Sequence, residues 1–290
     1  MTQHINRFMA LDIFRGATMA LMVIVNTPGT WAYVYSPLRH AQWHGCTLTD
    51  LVFPFFLFII GVAMTFSFDK YDICKYGPLF NKIIFRTITI FIIGLLLNAF
   101  PFIRQDWDWS SFRILGVLQR IALAYFFASF IVLRFDVKGI VNTSFILLVG
   151  YWILLMGYGW YSGQDPYALK TNLILVIDQF LLGKSHLYGG TGIQFDPEGL
   201  LSTVPSVVTV LIGFLVGTMI KTTKDHEDNA QRMAVLGSLL IIIGWLWGFI
   251  FPINKQLWTS SYVLYTGGIA IILLAGLIWL VDIKKINWWT

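Results

Sequence analysis

The chain has 290 residues, of which 57% are hydrophobic and only 12% charged. Soluble domains carry about 25% charged residues, so a water-facing surface, a disordered chain, a coiled coil and a disulfide-framed secreted domain are all excluded. Long unbroken apolar runs and a mean hydropathy of +0.71 argue against a transmembrane β-barrel, which alternates polar and apolar residues. They leave an all-α, polytopic transmembrane helical bundle. The net charge of +5 does not point to nucleic acid, because the basic residues are scattered between the apolar runs and form no patch.

A spanning helix needs about 20 mainly apolar residues. On that measure we read eight spans, at roughly 8–26, 49–68, 83–100, 113–134, 139–160, 200–220, 233–252 and 259–281. The first opens with Asp12 and Arg15, three apart and able to share a helix face, and ends at Asn26. Those charges, and the lack of a clean small-residue cleavage site after it, argue against a removable signal peptide. A long loop of roughly 27–48 follows, with the run Leu38-Arg39-His40-Ala41-Gln42-Trp43-His44-Gly45-Cys46, and Asp50 opens the second span. A hairpin of helices gathers Asn26, His40, His44 and Asp50 at one mouth. Three readings of the two histidines stand side by side: interfacial residues of an aromatic belt, a metal pair at i,i+4 spacing, or a catalytic imidazole. The metal reading lacks the Glu of an H-E-x-x-H motif and a third ligand, so no metal is expected. Asp50 either orients an imidazole or caps its helix.

Arg86 lies in the third span. Arg113 and Arg120, with Gln119 beside the latter, lie in the fourth, and seven residues of helix would point both arginines the same way. A charge at the centre of a span costs at least ~2.5 kcal/mol. Snorkelling or an ion pair with Asp12 accounts for Arg15 and Arg86 but poorly for Arg120. An arginine stripe suits an anionic ligand, phosphate above all. The second long loop, roughly 161–199, contains Leu173–Leu182, apolar but too short to span, which reads as an interfacial or re-entrant helix carrying Asp178. Gly189-Gly190-Thr191-Gly192 matches no phosphate loop, and Asp196-Pro197-Glu198-Gly199 reads as a cap on the sixth span.

Lys and Arg orient the bundle. With the N-terminus in the cytoplasm, eleven (Arg7, Lys70, Lys75, Lys82, Arg134, Lys138, Lys221, Lys224, Arg232, Lys284, Lys285) fall inside. Five (Arg39, Arg104, Lys170, Lys184, Lys255) fall outside. The excess places the N-terminus inside and puts Cys46 and Cys74 on opposite faces, where they cannot bridge.

Several segments, in order, carry a resemblance. Leu11-Asp12-Ile13-Phe14-Arg15-Gly16, Asn26, His40-Ala41-Gln42-Trp43-His44-Gly45 and Thr49-Asp50-Leu51-Val52-Phe53-Pro54-Phe55-Phe56 are followed by Arg113-Ile114-Leu115-Gly116-Val117-Leu118-Gln119-Arg120. Asp178-Gln179-Phe180-Leu181-Leu182-Gly183, Phe195-Asp196-Pro197-Glu198-Gly199, Pro252-Ile253-Asn254-Lys255 and Leu257-Trp258-Thr259-Ser260-Ser261-Tyr262 complete the set. Together they resemble the heparan-α-glucosaminide N-acetyltransferase family. The resemblance implies a transmembrane, acetyl-CoA-dependent N-acetyltransferase. Acetyl would pass from cytosolic acetyl-CoA to the amino group of a glucosamine-type sugar on the far side. It matches the family's active-site histidine to His40 and its asparagine to Asn26. His44 stands where animal members carry Asn, which favours His40. The family usually continues past Asp282 with further spans, so the single domain of residues 1–290 is expected to lack the last C-terminal ones, and no counterpart of the animal members' lumenal N-terminal domain is expected.

On this reading His40 is base or transient acetyl carrier, Asn26 an oxyanion donor and Asp50 the group that orients the ring. Arg15, Arg86, Arg113, Gln119 and Arg120 are expected at the CoA, and Trp43, His44 and Asp178 at the sugar. Expected partners are the bilayer and an amino-sugar or glycan acceptor, with no nucleic acid. Exposed membrane surface is compatible with a homodimer, and a multi-pass protein of a bacterial inner membrane is the expected location. An amino-sugar transporter is the alternative, since polar residues in spans serve a sugar path equally well.

Overall fold

The computed structural model describes residues 8–69, 71, 76–102, 108–223, 225–286 and 288. Cys74, together with Arg7, Lys70, Lys75, Arg104 and Lys224 of the charge count, lies outside the described residues. Nine α-helices run through the described residues: α1 (Met9–Asn26), α2 (Leu48–Phe68), α3 (Tyr76–Ala99), α4 (Val117–Arg134), α5 (Val137–Ser162), α6 (Leu173–Leu182), α7 (Thr203–Thr222), α8 (His226–Trp247) and α9 (Ser260–Leu277). A π-helical turn, Ile278–Ile283, extends α9. All except α6 are long and apolar enough to cross a membrane, as the hydropathy pattern predicts.

Two predicted spans are displaced. α3 begins seven residues before position 83 and α8 seven before 233. In α8 the extra turns, His226–Arg232, are hydrophilic and start at an Asp225 N-cap that accepts from the Glu227 amide at 2.9 Å. Hydropathy marks where a helix is apolar, not where its hydrogen bonding begins.

α2 and α7 are the most buried spans. They touch backbone to backbone: a Cβ on Gly61 would sit 1.9 Å from the Val210 carbonyl, and one on Gly213 2.1 Å from that of Phe58. Small residues at such a contact let two helices approach where lipid offers no hydrophobic drive between them. α8 and α9 pack likewise through Gly237 and Gly268.

Pro54 lies inside α2. It has no N–H, so the carbonyl of Asp50, four residues earlier, lacks its intrahelical donor. The buried Tyr262 hydroxyl of α9 takes that place, donating to the Asp50 carbonyl at 2.6 Å. This bond ties the first turn of α2 to α9. The N-terminal ends of α2, α4, α7 and α9 meet at one end of the bundle, where both long loops fold over them. The opposite end is marked by the Lys221–Asp69 ion pair between the far ends of α7 and α2.

Candidate functional site

The loop before α2 is held from both sides. The Gly45 amide donates to the Ile253 carbonyl at 2.7 Å, a single parallel bridge to the segment before α9. Buried Asn254 then donates from its side-chain amide to the Trp43 carbonyl at 2.8 Å and accepts from the Leu257 amide at 2.8 Å. Both backbones are thereby fixed, and Lys255 is delivered against His40.

At the helix start Asp50 is residue N3 of α2, with Thr47 as N-cap. Its Oδ2 accepts from the Thr47 amide (3.1 Å), the Thr47 hydroxyl (3.0 Å) and the Ala41 amide (3.0 Å). Its Oδ1 lies 2.6 Å from His40 Nδ1 and 3.5 Å from Lys255 Nζ. Asp50 therefore both caps its helix, from the N3 position, and orients the imidazole. A carboxylate oxygen 2.6 Å from a ring nitrogen requires a proton between them, and the two backbone amides, the ring N–H and the nearby ammonium around this carboxylate select its ionised form. Nδ1 carries that proton, so in the neutral ring Nε2 keeps its lone pair. The His40 side chain is 49% exposed while that of Asp50 is 2% exposed: the ring meets the cleft and its anchor is shut away.

The cleft has a volume of about 390 Å³, and its walls include His40, Trp43, Arg113, Tyr188, Glu198 and Lys255. Arg113 donates to both oxygens of buried Asp196 (2.9 and 2.7 Å) and to Glu198 (2.7 Å), over the Tyr188 ring. Burial disfavours its charge, but the two carboxylates outweigh that and raise its pKa. Burial also pulls the Lys255 ammonium below the usual lysine range, against the pull of Asp50 and Glu198. The Cys46 thiol is pushed up to about 12, first by burial and then by Asp50, so it is no nucleophile near neutral pH.

The remaining expected residues divide. Trp43 lines the cleft and is fixed by donation from Nε1 to the Tyr167 carbonyl at 2.7 Å. His44 is turned to Asn254, 3.3 Å away, and burial lowers its pKa; it does not line the cleft. Asn26 is exposed at the end of α1 and does not line it either. Asp178, 1% exposed on α6, accepts from the Leu200 amide at 3.0 Å, and burial pushes its pKa up to about 7. It supports the wall behind Gly199 rather than facing the cleft.

The expected arginine stripe does not form. α4 starts at Val117, and Gly116 before it is extended at φ 173°, so Arg113 stands outside the helix and the seven-residue spacing does not align it with Arg120. Arg120 is 1% exposed. It donates to the Gly199 carbonyl and the Ser202 hydroxyl, and its guanidinium stacks over Trp258 at 5.0 Å. Gln119 folds back to donate to the Ile114 carbonyl at 3.1 Å. Arg15 pairs with Asp12 at 3.2 Å, and Arg86 lies over the Tyr125 ring at 5.3 Å. These five residues share no phosphate site. The Asp196–Glu198 segment, expected to cap the next span, instead closes on Arg113, while Ser202 is the N-cap residue of α7. Lys255 and Glu198 were absent from the expected site; their one sequence signal is the motif in which each stands.

The sequence profile described as "Heparan-alpha-glucosaminide N-acetyltransferase, catalytic" matches residues 7–251. The protein named heparan-alpha-glucosaminide N-acetyltransferase in Mus musculus is 29% identical over 337 aligned positions, covering 98% of this chain and 50% of that protein. Its Homo sapiens counterpart is 29% identical over 336, with the same coverage. The chain thus spans about half the length of the curated relatives it matches.

Proposed function

Since the chain belongs to the heparan-alpha-glucosaminide N-acetyltransferase catalytic family, we propose that it transfers acetyl from cytosolic acetyl-CoA to the amino group of a glucosamine-type sugar on the opposite membrane face. The observation that carries this reading is the half-exposed His40 ring held through Nδ1 by buried Asp50 at 2.6 Å.

An amine attacks a thioester carbonyl only as the free base, and the proton it sheds on attack needs an acceptor. Nε2 of His40 faces the cleft with its lone pair and takes that proton, while the CoA thiolate leaves. In the two-step version Nε2 attacks the carbonyl carbon first and the thiolate leaves; the amine then takes the acetyl as the C–Nε2 bond breaks, and the freed Nε2 accepts the amine's proton. In both versions Asp50 stabilises the positive charge that develops on the ring. Trp43 and Tyr188 offer aromatic walls to a sugar. Asn26 does not line the cleft, so the proposal rests on His40 and Asp50 rather than on an oxyanion donor from α1. For the donor phosphates Arg15 and Arg86 remain separate candidates, each in the first half of its helix.

Vesicles containing the protein, loaded with glucosamine and given labelled acetyl-CoA outside, test the reading. Wild-type protein should form labelled N-acetylglucosamine. His40→Ala should lose about 10²–10⁴-fold in rate, the range for a positioned acid–base group. A variant as fast as wild type would remove His40 from the chemistry.

A further inference from the structure

Lys255 reaches His40 across 215 residues of sequence, with Nζ 3.2 Å from Nδ1. It cannot donate to that nitrogen, because the Nδ1 proton is already committed to Asp50. Its contact is therefore electrostatic: the ammonium lies beside the imidazole and 3.5 Å from the same Asp50 oxygen. A carboxylate on Nδ1 favours the imidazolium form of a ring, which has no lone pair for an amine proton or a thioester carbon. A cation at this position offsets that pull.

The other charged or titratable groups around the ring do not duplicate it. Arg39 donates to the Ala32 carbonyl at 3.1 Å, and His44 is turned to Asn254. The Cys46 thiol stays protonated. Across the cleft Arg113 is closed by Asp196 and Glu198 and covers the Tyr188 ring.

We propose that Lys255 is a positioning residue of the acetyl-transfer site: its ammonium, set against both the imidazole and the Asp50 oxygen that holds it, opposes the pull of Asp50 for a second ring proton and so favours the ring form that carries the Nε2 lone pair. This rests on the acetyltransferase reading for its purpose, but not for its measurement.

The test uses the full chain in detergent, with Lys255→Met and Lys255→Arg. Diethyl pyrocarbonate reacts with neutral imidazole, and the pH dependence of His40 modification, read by mass spectrometry, reports its protonation without any turnover. Loss of a unit charge about 3 Å away should move this profile in Lys255→Met up by at least about one pH unit, the shift such a charge gives even at the dielectric of water. The acid limb of kcat/KM should move with it, and Lys255→Arg should restore both. A modification profile that does not move in Lys255→Met, or that moves as far in Lys255→Arg, overturns the proposal. Should Lys255→Met not fold, Lys255→Gln replaces it under the same criteria. If the profile moves while wild-type protein transfers no acetyl, the role of Lys255 stands and the acetyltransferase reading falls.

Discussion

Asp50→Asn separates the two jobs of one carboxylate. An amide has one oxygen and one NH₂ group, and the two ends of Asp50 face different partners. If NH₂ takes the Oδ2 position, it opposes the amides of Ala41 and Thr47. Leaving two buried donors unsatisfied costs about 1–3 kcal/mol each, and the capping box is lost as well. If NH₂ takes the Oδ1 position, the helix start is preserved, but the amide now donates toward His40 Nδ1. The ring must then move its own proton to Nε2, where the lone pair was. The second arrangement is the cheaper, so the structure predicts a small loss of stability and a large loss of activity. The wrong tautomer costs about 10⁴-fold in rate in a comparable carboxylate–histidine pair, equivalent to about 5 kcal/mol of barrier. The vesicle assay gives the rate, and thermal unfolding in detergent gives the stability. An Asp50→Asn protein that folds and transfers acetyl within tenfold of wild type would refute the assigned tautomer and with it the role of the pair.

Two further outcomes follow from burial and packing. Burial pushes Asp178 up to about 7 against about 3.9 in an unfolded chain, so between those values the folded protein holds a proton that the unfolded chain has lost. Its contribution is fully favourable below about pH 4 and is lost as pH rises through 7, by about 4 kcal/mol in total; Asp178→Asn should flatten unfolding temperature against pH over this window, and an undiminished slope would show another group to be responsible. Gly61→Ala places a methyl 1.9 Å from the Val210 carbonyl, so α2 and α7 must part. Such overpacking costs about 1–3 kcal/mol, seen as a lower unfolding temperature, and an unchanged one would mean that the two helices are not held at this spacing.

The spans were legible because a bilayer demands long apolar runs, and the short α6 was legible to the residue, since its apolar stretch is bounded by a helix N-cap residue, Asn172, and a glycine, Gly183. The early starts of α3 and α8 were not, because backbone hydrogen bonding continues past the point where a run of apolar residues stops. Arg113 shows a different failure. Helical spacing aligned it with Arg120 only on the assumption that the helix reached it, and the extended Gly116 breaks that register. Its true partners, Asp196 and Glu198, lie 83 and 85 residues away, at a separation over which no local pattern operates.

The site follows the same division between near and far. His40 and Asp50 are ten residues apart, within one loop and the helix it enters, and a hairpin of spans has to bring them to the same end. Lys255 is fixed by a chain of long-range bonds: Gly45 to Ile253, Asn254 to Trp43, and Tyr262 to the carbonyl that Pro54 leaves without an amide. Each link has its own local cause, but the sum exists only once α2 and α9 have packed. The imidazole is therefore readable from the loop, whereas the charge set beside it is a property of the assembled bundle. Substitutions at Asn254 or Tyr262, neither of which touches His40, bear on the site through Lys255 and Asp50.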